Sequence, residues 1–187
     1  MRQIPLIFPI IVNKFAQHDN LKKDMLHAIE TQEAVEDLVG PNNNIYKCDW
    51  HSARFDPNRE WLKIFRPNLN QHLIDWKNNF GYDNFVIHEI WFQQYDTNSK
   101  HAWHVHGANF TNVYYLDLPE GSPKTEYINP VTKQLHQFDV SEGDIITFPS
   151  WLIHRAPINL GKEMKTIISW NMDVTLTDFY GEENGDN

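Results

Sequence analysis

The sequence predicts a mainly β protein with N-terminal helices, in which the strands form a sandwich or barrel of the jelly-roll type. From about residue 84 onward, short segments rich in Ile, Val, Phe, Tyr and Trp alternate with turns, and no helical pattern separates them. Seven or eight such segments at this spacing are typical of a jelly roll. Before residue 84, apolar residues recur at helical spacing instead.

The N-terminal segment IPLIFPIIV is apolar and is predicted to form a strand. Pro5 and Pro9 interrupt it, and it is far shorter than the ~20 residues that a membrane-spanning helix needs. It also lacks the uninterrupted apolar run and the cleavage site of a signal peptide. We therefore expect no membrane partner.

The first helix is predicted over residues 20–39. Asp19 or Asn20 is expected to cap its start, and Gly40-Pro41 to stop it. After it, the segment NNNIYKCDWHSARFDP is predicted to be a loop or irregular extended chain. The residues expected on the buried face of the helix are Leu21, Met25, Ala28 and Ile29.

A second helical region is predicted over residues 58–80. Pro67 is expected to break it, because proline removes a backbone donor and clashes with the preceding turn. Gly81 is expected to end it. The residues expected to face the core are Leu69, Leu73 and Trp76.

The predicted strands come next along the chain. They are NFVIHEIWFQQY, HAWHVH, TNVYYLDL, TEYINP, DIITFP, WLIHRAPI and MKTIISWNM. The acidic segment at residues 181–187 is predicted to be flexible. We predict a single domain over residues 1–187, in which residues 1–83 provide a strand and helical support and residues 84–175 form the jelly-roll core.

Charge and cysteine content limit the partners and the compartment. The net charge of −9 argues against a nucleic-acid partner, because phosphate contacts need clustered Lys and Arg. The single cysteine, Cys48, allows no intramolecular disulfide, which fits a reducing compartment such as the cytoplasm, and we interpret it as structural. Aromatic residues make up 13% of the chain and fit either a homodimer interface or a Trp-rich core.

The segment HAWHVH holds three histidines in six positions. Side chains at i and i+2 of a strand project to the same face, so His104 and His106 point together, whereas His101 has the opposite parity and is expected to be a neighbour. In a jelly roll, the later strand that carries His154 lies beside this one. Two histidines from one strand and a third from another form a facial cap with open positions, as in mononuclear non-haem iron sites. The alternative is that His154 is a buried core histidine.

Several pieces over residues 85–173 match a known family in order. They are Trp91 thirteen residues before His104, H-x-H at 104–106, VYYL at 113–116, FPSWLIH at 148–154 and KTIISWN at 165–171. In these pieces the chain resembles the 2-oxoglutarate- and Fe(II)-dependent oxygenases common in phages and marine bacteria. That family is a branch of the prolyl-hydroxylase-like double-stranded β-helix proteins, whose fold is a cupin-like jelly roll.

The resemblance implies that His104, His106 and His154 hold Fe(II) and form the catalytic centre. Most of the wider superfamily has Asp or Glu at the position of His106, while this branch often has His. Three neutral imidazoles leave the metal with a larger net charge, which changes its redox potential and its exchangeable ligands.

The resemblance also implies a site for 2-oxoglutarate as co-substrate. Lys165 stands where the family places a basic residue, usually Arg, that pairs with the distal carboxylate; lysine supplies the charge but not the bidentate fork. Strand parity places Lys165 on one face with residues 167, 169 and 171, so its cation can point inward, with Lys162 and Arg155 as alternatives. Tyr115 matches a tyrosine that hydrogen-bonds the same carboxylate, and Tyr95 is a second candidate. Both tyrosines also suit a β-sheet core.

The activity implied is the hydroxylation of an unidentified small-molecule or peptidyl substrate, in the cytoplasm of a bacterium or a phage-infected host. One alternative is a three-histidine jelly-roll dioxygenase or metal-dependent isomerase that does not use 2-oxoglutarate. The other is a non-enzymatic metal- or ligand-binding jelly roll. Lys165 favours the 2-oxoglutarate-dependent hydroxylase over both alternatives, because a cation facing inward has no evident role without an anionic co-substrate.

Overall fold

A computed structural model of the chain describes residues 8–33 and 42–176. Its helices and strands are, in order, β1 (Ile11–Lys14), α1 (His18–Thr31), β2 (Lys47–Cys48), a 3-10 helix (Trp50–Ser52), α2 (Glu60–Phe80), β3 (Asn84–Tyr95), β4 (His101–His104), β5 (Phe110–Asp117), β6 (Glu126–Ile128), β7 (Leu135–Gln137), β8 (Asp144–Pro149), β9 (His154–Ala156) and β10 (Lys165–Thr175).

The strands form two antiparallel sheets, which confirms the predicted jelly roll. The major sheet has six strands in the order β1-β8-β5-β10-β3-β2, and the minor sheet has four in the order β4-β9-β6-β7. Both sheets therefore mix strands that are distant in sequence, as a double-stranded β-helix requires. The division into a support at residues 1–83 and a core at residues 84–175 remains a prediction.

The central strands of the major sheet bury both of their faces, which explains their nearly continuous apolar sequences. Along β10, Ile168 and Trp170 pack toward the helices, while Ile167 packs between the sheets. On β5, Tyr114 and Tyr115 divide in the same way. One core thus lies under the helices and a second lies between the two sheets.

The first helix starts before the predicted residue 20, and the predicted capping by Asp19 or Asn20 is wrong. α1 begins at His18 after Gln17, whose side chain makes no cap hydrogen bond; Asn20 donates to the Gln17 amide oxygen at 3.0 Å instead. Its buried face matches the prediction at Met25, and Ala28 and Ile29 are also buried. Leu21 is half-buried and packs at the edge of that core. Residues 34–41, including Gly40-Pro41, lie outside the described residues.

The predicted break in the second helix is also wrong, because α2 runs through Pro67. Proline removes the donor to the carbonyl of Lys63, but both residues lie on the exposed face, where water can satisfy that carbonyl. The predicted end is confirmed, since Gly81 adopts φ +74° as the C-cap. The expected core residues Leu69, Leu73 and Trp76 are all buried.

Several strand positions differ from the sequence prediction. β1 starts later than expected, at Ile11, although residues 4–7 of the predicted segment lie outside the described residues. β4 ends at His104, because the next backbone partner, the carbonyl of Ser150, belongs to a turn. The prediction missed β7, whose residues LHQ are largely exposed and lack an apolar alternation. The predicted acidic tail lies outside the described residues.

The segment between the helices is ordered around the carboxylate of Asp49, which is 1% exposed. Its Oδ2 accepts hydrogen bonds from Arg59 Nη1 and Trp61 Nε1, each at 2.8 Å, and its Oδ1 accepts the backbone N–H of Phe92 at 2.8 Å. Asp49 thereby joins the start of α2 to β3. Cys48, beside it, is buried, and burial raises the pKa of its thiol to about 12, as suits a structural residue.

No helix in residues 8–33 or 42–176 combines the length and the apolar character needed to cross a membrane.

Candidate metal centre

The three predicted ligands meet between the ends of β4 and β9. His104, the last residue of β4, pairs in register with His154, the first residue of β9. His106 follows two residues later and is anchored by its backbone N–H, which donates to the Ser150 carbonyl at 2.9 Å. One ligand nitrogen from each of the three side chains lies within 4.8 Å of the others. The structure thus brings together two histidines of an H-x-H pair and a third that lies 48 positions after the second.

Two of these imidazoles are held in the tautomer that a metal ligand needs. The Nδ1 of His104 lies 2.7 Å from the carbonyl of Ala102, and the Nδ1 of His154 lies 2.8 Å from that of Leu152. A carbonyl only accepts, so each Nδ1 carries the proton and each Nε2 keeps its lone pair. This outer hydrogen bond is the usual support of a metal-bound histidine.

Burial also keeps the cluster uncharged. Desolvation lowers the pKa of His106 to about 4 and lowers that of His104, while burial and the neighbouring His104 place the pKa of His154 well below its usual value. The three imidazoles are therefore neutral at neutral pH, which is the form that binds a metal.

His101 lies beside the cluster and outside it. Its ring stacks on that of His104, with the centroids 4.0 Å apart and the planes 23° apart. It is not one of the three residues whose ligand atoms converge. His101 is thus a neighbour, as expected, but the predicted opposite parity is wrong. The register shifts between His101 and His104, and both side chains line the same interior cavity.

Cross-strand register arranges the interior face of the major sheet in four rows. From the end farthest from His106, the rows are Tyr95–Lys165, Gln93–Ile167–Tyr115, Trp91–Ser169–Val113 and Glu89–Asn171–Thr111. Seven of these residues line a small cavity together with the three histidines: Trp91, Gln93, Tyr95, Thr111, Val113, Ile167 and Ser169. The period-2 geometry of three neighbouring strands therefore builds the wall opposite the histidines.

Lys165 lies in the first row and is 1% exposed. Its Nζ donates to the carbonyl of Pro123 at 2.8 Å and lies 4.9 Å from the centre of the Tyr95 ring. Within the described part of the chain, no carboxylate forms an ion pair with it. Burial lowers the pKa of this ammonium to about 7. A buried cation with no counter-ion is a suitable partner for an anionic ligand.

The two tyrosines predicted beside Lys165 are fully buried. Tyr95 supplies the ring under the ammonium and also lines the cavity. Tyr115 donates its hydroxyl to Thr125 Oγ1 at 2.8 Å, and Thr125 lines the cavity as well. Thr125 was not singled out in the sequence. It is the first residue of the predicted strand TEYINP and lies just before β6, and no local pattern indicates that it contacts Tyr115.

The alternative cations are placed differently. Lys162 is exposed in the loop before β10. Arg155 is half-buried and already engaged: its Nε donates to Glu126 Oε2 at 2.7 Å, and its guanidinium lies 4.4 Å from the centre of the Trp103 ring. Among the three candidates, Lys165 is the buried cation without a carboxylate partner.

Free space around the histidines is unevenly distributed. The interior cavity has about 20 Å³, which is roughly room for one water-sized sphere. A pocket of about 170 Å³ opens beside it, and its lining includes Trp50, Glu89, His104 and His106. Glu89 also lines a larger cleft of about 520 Å³ with Arg54. Glu89 thus lies between the candidate metal centre and the protein surface.

Sequence reasoning overlooked the polar row that supports His106. Asn171 Nδ2 donates to Glu89 Oε1 at 3.0 Å and lies 3.3 Å from His106 Nδ1, while Thr111 Oγ1 donates to Asn171 Oδ1 at 2.8 Å. A signal for Glu89 did exist, since it is a carboxylate with the parity of Trp91 in a strand rich in apolar residues. Its partners depend on strand register, which the sequence does not reveal.

The donor set fits a divalent transition metal. Three neutral imidazoles that converge from one side are suitable ligands for Fe(II), and two of them have the outer hydrogen bonds that metal ligands require. The unpaired ammonium of Lys165 similarly fits one carboxylate of a diacid.

Similar folds occur among solved structures, whereas no protein-family model and no curated protein matches the sequence. A viral collagen prolyl hydroxylase from Paramecium bursaria Chlorella virus-1, in complex with 2-oxoglutarate, is 15% identical with a TM-score of 0.60, over 89% of this chain and 96% of that one. A prolyl-4-hydroxylase from Pseudomonas putida is 14% identical with a TM-score of 0.64, over 87% and 91%.

HygX from Streptomyces hygroscopicus, with nickel and 2-oxoglutarate bound, is 11% identical with a TM-score of 0.63, over 87% of this chain and 82% of that one. At these identities the likeness shows the fold. The chain therefore has the double-stranded β-helix fold that these three proteins share, and its candidate metal centre lies between the two sheets.

Proposed function

We propose that this chain is a non-haem Fe(II) oxygenase that uses 2-oxoglutarate and O2 to hydroxylate a substrate. The observation that carries the proposal is the pairing, in one interior, of a three-histidine cluster with a buried lysine that has no carboxylate partner among residues 8–33 and 42–176. Its fold is also that of proteins whose structures contain 2-oxoglutarate.

The roles follow from the placement of the side chains. His104, His106 and His154 hold Fe(II), which supplies O2 activation coupled to the decarboxylation of 2-oxoglutarate to succinate. Lys165 neutralises the distal carboxylate, with Tyr95 beneath the ammonium and the hydroxyl of Tyr115 nearby. The apolar wall excludes water from the site. Since the interior cavity has about 20 Å³, the lining side chains move apart when the diacid enters.

The substrate is a small molecule or a peptidyl group that approaches through the pocket beside Glu89. A homodimer and a cytoplasmic location remain predictions from composition, as does the absence of nucleic-acid and membrane partners. The suggested origin in phages or marine bacteria is likewise a prediction.

The first test is an anaerobic titration of Fe(II)-loaded protein with 2-oxoglutarate, followed by succinate measurement under air. We expect 2-oxoglutarate to change the visible spectrum of the bound iron and succinate to form slowly without substrate. His154→Ala should lose iron binding, whereas Lys165→Met should keep iron and lose most of the affinity for 2-oxoglutarate. Lys162→Met, at an exposed lysine, is the matched control. Circular dichroism checks that each variant is folded.

Two results would contradict the proposal. If iron binds through the histidines but 2-oxoglutarate leaves its spectrum unchanged, the three-histidine dioxygenase or isomerase becomes the better assignment. If no iron binds and His154→Ala behaves as the wild type, the jelly roll is a non-enzymatic binding protein.

A further inference from the structure

The three histidines of the cluster are not supported in the same way. His104 and His154 each face a backbone carbonyl through Nδ1. His106 faces a side chain instead, since its Nδ1 lies 3.3 Å from Nδ2 of Asn171. The support of His106 is therefore a group that can present either a donor or an acceptor, whereas a carbonyl can only accept.

Asn171 is fixed at both ends of its amide and is 3% exposed. Its Nδ2 donates to Glu89 Oε1 at 3.0 Å, and its Oδ1 accepts from Thr111 Oγ1 at 2.8 Å. Thr111 Oγ1 in turn lies 2.9 Å from Ser150 Oγ. Because a carboxylate only accepts, Glu89 holds the amide with its nitrogen toward itself and toward His106.

This orientation conflicts with metal binding by His106. With Nδ1 directed at Asn171, Nε2 is the nitrogen left for a metal, and a neutral imidazole that binds through Nε2 carries its proton on Nδ1. An N–H of Asn171 and an N–H of His106 would then point at each other. Reversal of the amide removes the clash, because Oδ1 then accepts from His106 and Nδ2 donates to Thr111, whose hydroxyl can donate to Ser150.

The reversal changes the surroundings of Glu89. Oδ1 of Asn171 would face the carboxylate, and two acceptors repel each other. Arg54 offers an alternative partner, since its Nη2 lies 3.5 Å from Glu89 Oε1 and its side chain is 61% exposed. The three residues Arg54, Glu89 and Asn171 all line the surface cleft of about 520 Å³.

We propose that Asn171 is a positioning residue that reverses its side-chain amide when His106 binds a metal, and that this releases Glu89 toward Arg54 in the cleft. The proposal rests on the metal centre of the proposed function. Glu89 opposes metal loading by holding the amide in the other orientation. Metal binding at the histidines thereby changes the charge arrangement at the entrance to the site.

The test is Co(II) and Zn(II) binding to the full chain and its variants. Asn171→Ala removes the acceptor for His106 and should weaken Co(II) binding by about tenfold or more. Glu89→Gln should instead strengthen it several-fold, because the Gln amide can donate to the reversed Asn171 oxygen. A merely structural role for Glu89 predicts weakening. Glu60→Gln, at an exposed carboxylate on α2, is the matched control and should leave the affinity unchanged.

The tautomer of His106 provides a second readout that does not depend on affinity. In the Zn(II)-loaded protein, nitrogen-15 NMR should show a proton on Nδ1 of His106, and Glu89→Gln should show the same. Weaker or unchanged Co(II) binding by Glu89→Gln, or an unprotonated Nδ1 in the Zn(II) form, would overturn the inference while leaving the metal centre intact. Failure of the wild type to bind either metal would instead reject the metal centre, and the proposed function with it.

Discussion

Lys165 is a cation whose charge depends on whether an anion is present. Burial lowers its pKa to about 7 from the ordinary lysine value of 10.5, so near neutral pH about half of the molecules carry a neutral amine there. In the unfolded chain the amine binds its proton up to about pH 10.5. The contribution of Lys165 to the free energy of unfolding therefore rises with pH from about 7 to 10.5.

This titration predicts that 2-oxoglutarate binding takes up a proton above pH 7. A bound carboxylate favours the charged ammonium and raises its pKa, so the dissociation constant should increase by up to about tenfold per pH unit above 7. Calorimetry in two buffers of different ionisation enthalpy measures the proton uptake directly. Lys165→Arg remains charged and should bind with little pH dependence between 7 and 9. The same pH dependence in both proteins would exclude Lys165 as the partner.

At the residue scale, the sequence predicts the face to which a side chain points wherever the strand alternates regularly. Lys165 lies on the interior face that the alternation of β10 predicts. His104 and His106 converge as the H-x-H spacing predicts, although β4 ends at His104, whereas a register shift brings His101 to the same side as His104. Glu89 could not be connected to Asn171, because their contact depends on the register between β3 and β10, which are separated by the whole jelly roll.

At the scale of elements, the buried ion pair of Asp49 and Arg59 determines how α2 meets β3. Both side chains are nearly inaccessible, at 1% and 2%, and Asp49 also accepts from Trp61 and from the backbone of β3. The pair is satisfied as a unit, so removal of one member leaves the other charge buried without a partner.

We predict that Asp49→Ala lowers the free energy of unfolding by roughly 3–5 kcal/mol, because Arg59 and the Trp61 indole lose their acceptor. Urea denaturation followed by circular dichroism measures this loss. Asp75→Ala, at an exposed position on α2, is the control and should change the free energy by less than about 0.5 kcal/mol. A loss at Asp49 as small as that of the control would mean that the network contributes little.

The helix boundaries show why the secondary structure could be predicted only in part from the sequence. Gly81 ends α2 for a purely local reason, its left-handed backbone conformation, and this was predictable. The continuity of α2 through Pro67 depends on which face is exposed, and the start of α1 at His18 depends on packing: the His18 ring lies 2.7 Å from the Tyr114 hydroxyl. Tertiary contacts decide such positions, and local propensity does not.

At the scale of the whole molecule, two hydrophobic cores pack on opposite faces of the major sheet and support different parts of the structure. Phe65 stacks on Tyr114 in the core under the helices, with centroids 5.4 Å apart. Phe148 belongs to the core between the sheets and contacts the His154 ring edge-on at 4.8 Å. Both phenylalanines are 0% exposed, so they form a matched pair.

We predict that Phe65→Leu and Phe148→Leu each lower the free energy of unfolding by roughly 1–3 kcal/mol. Only Phe148→Leu should also weaken Co(II) binding, because it loosens the position of His154. Denaturation and metal titration on the same samples separate the two effects. Equal metal affinity in both variants would show that the cluster does not depend on the packing of its surrounding core.

The central position of β10 in the major sheet has a consequence for co-translational folding. β10 is the last described strand, yet it lies between β5 and β3 at the centre of the major sheet. Until it is synthesised, the two halves of that sheet share no hydrogen bonds and expose apolar faces and unpaired edges. The histidines precede it, whereas Lys165 and Asn171 arrive with it. The nascent chain therefore contains its candidate metal ligands before it can form the space between the sheets that encloses them.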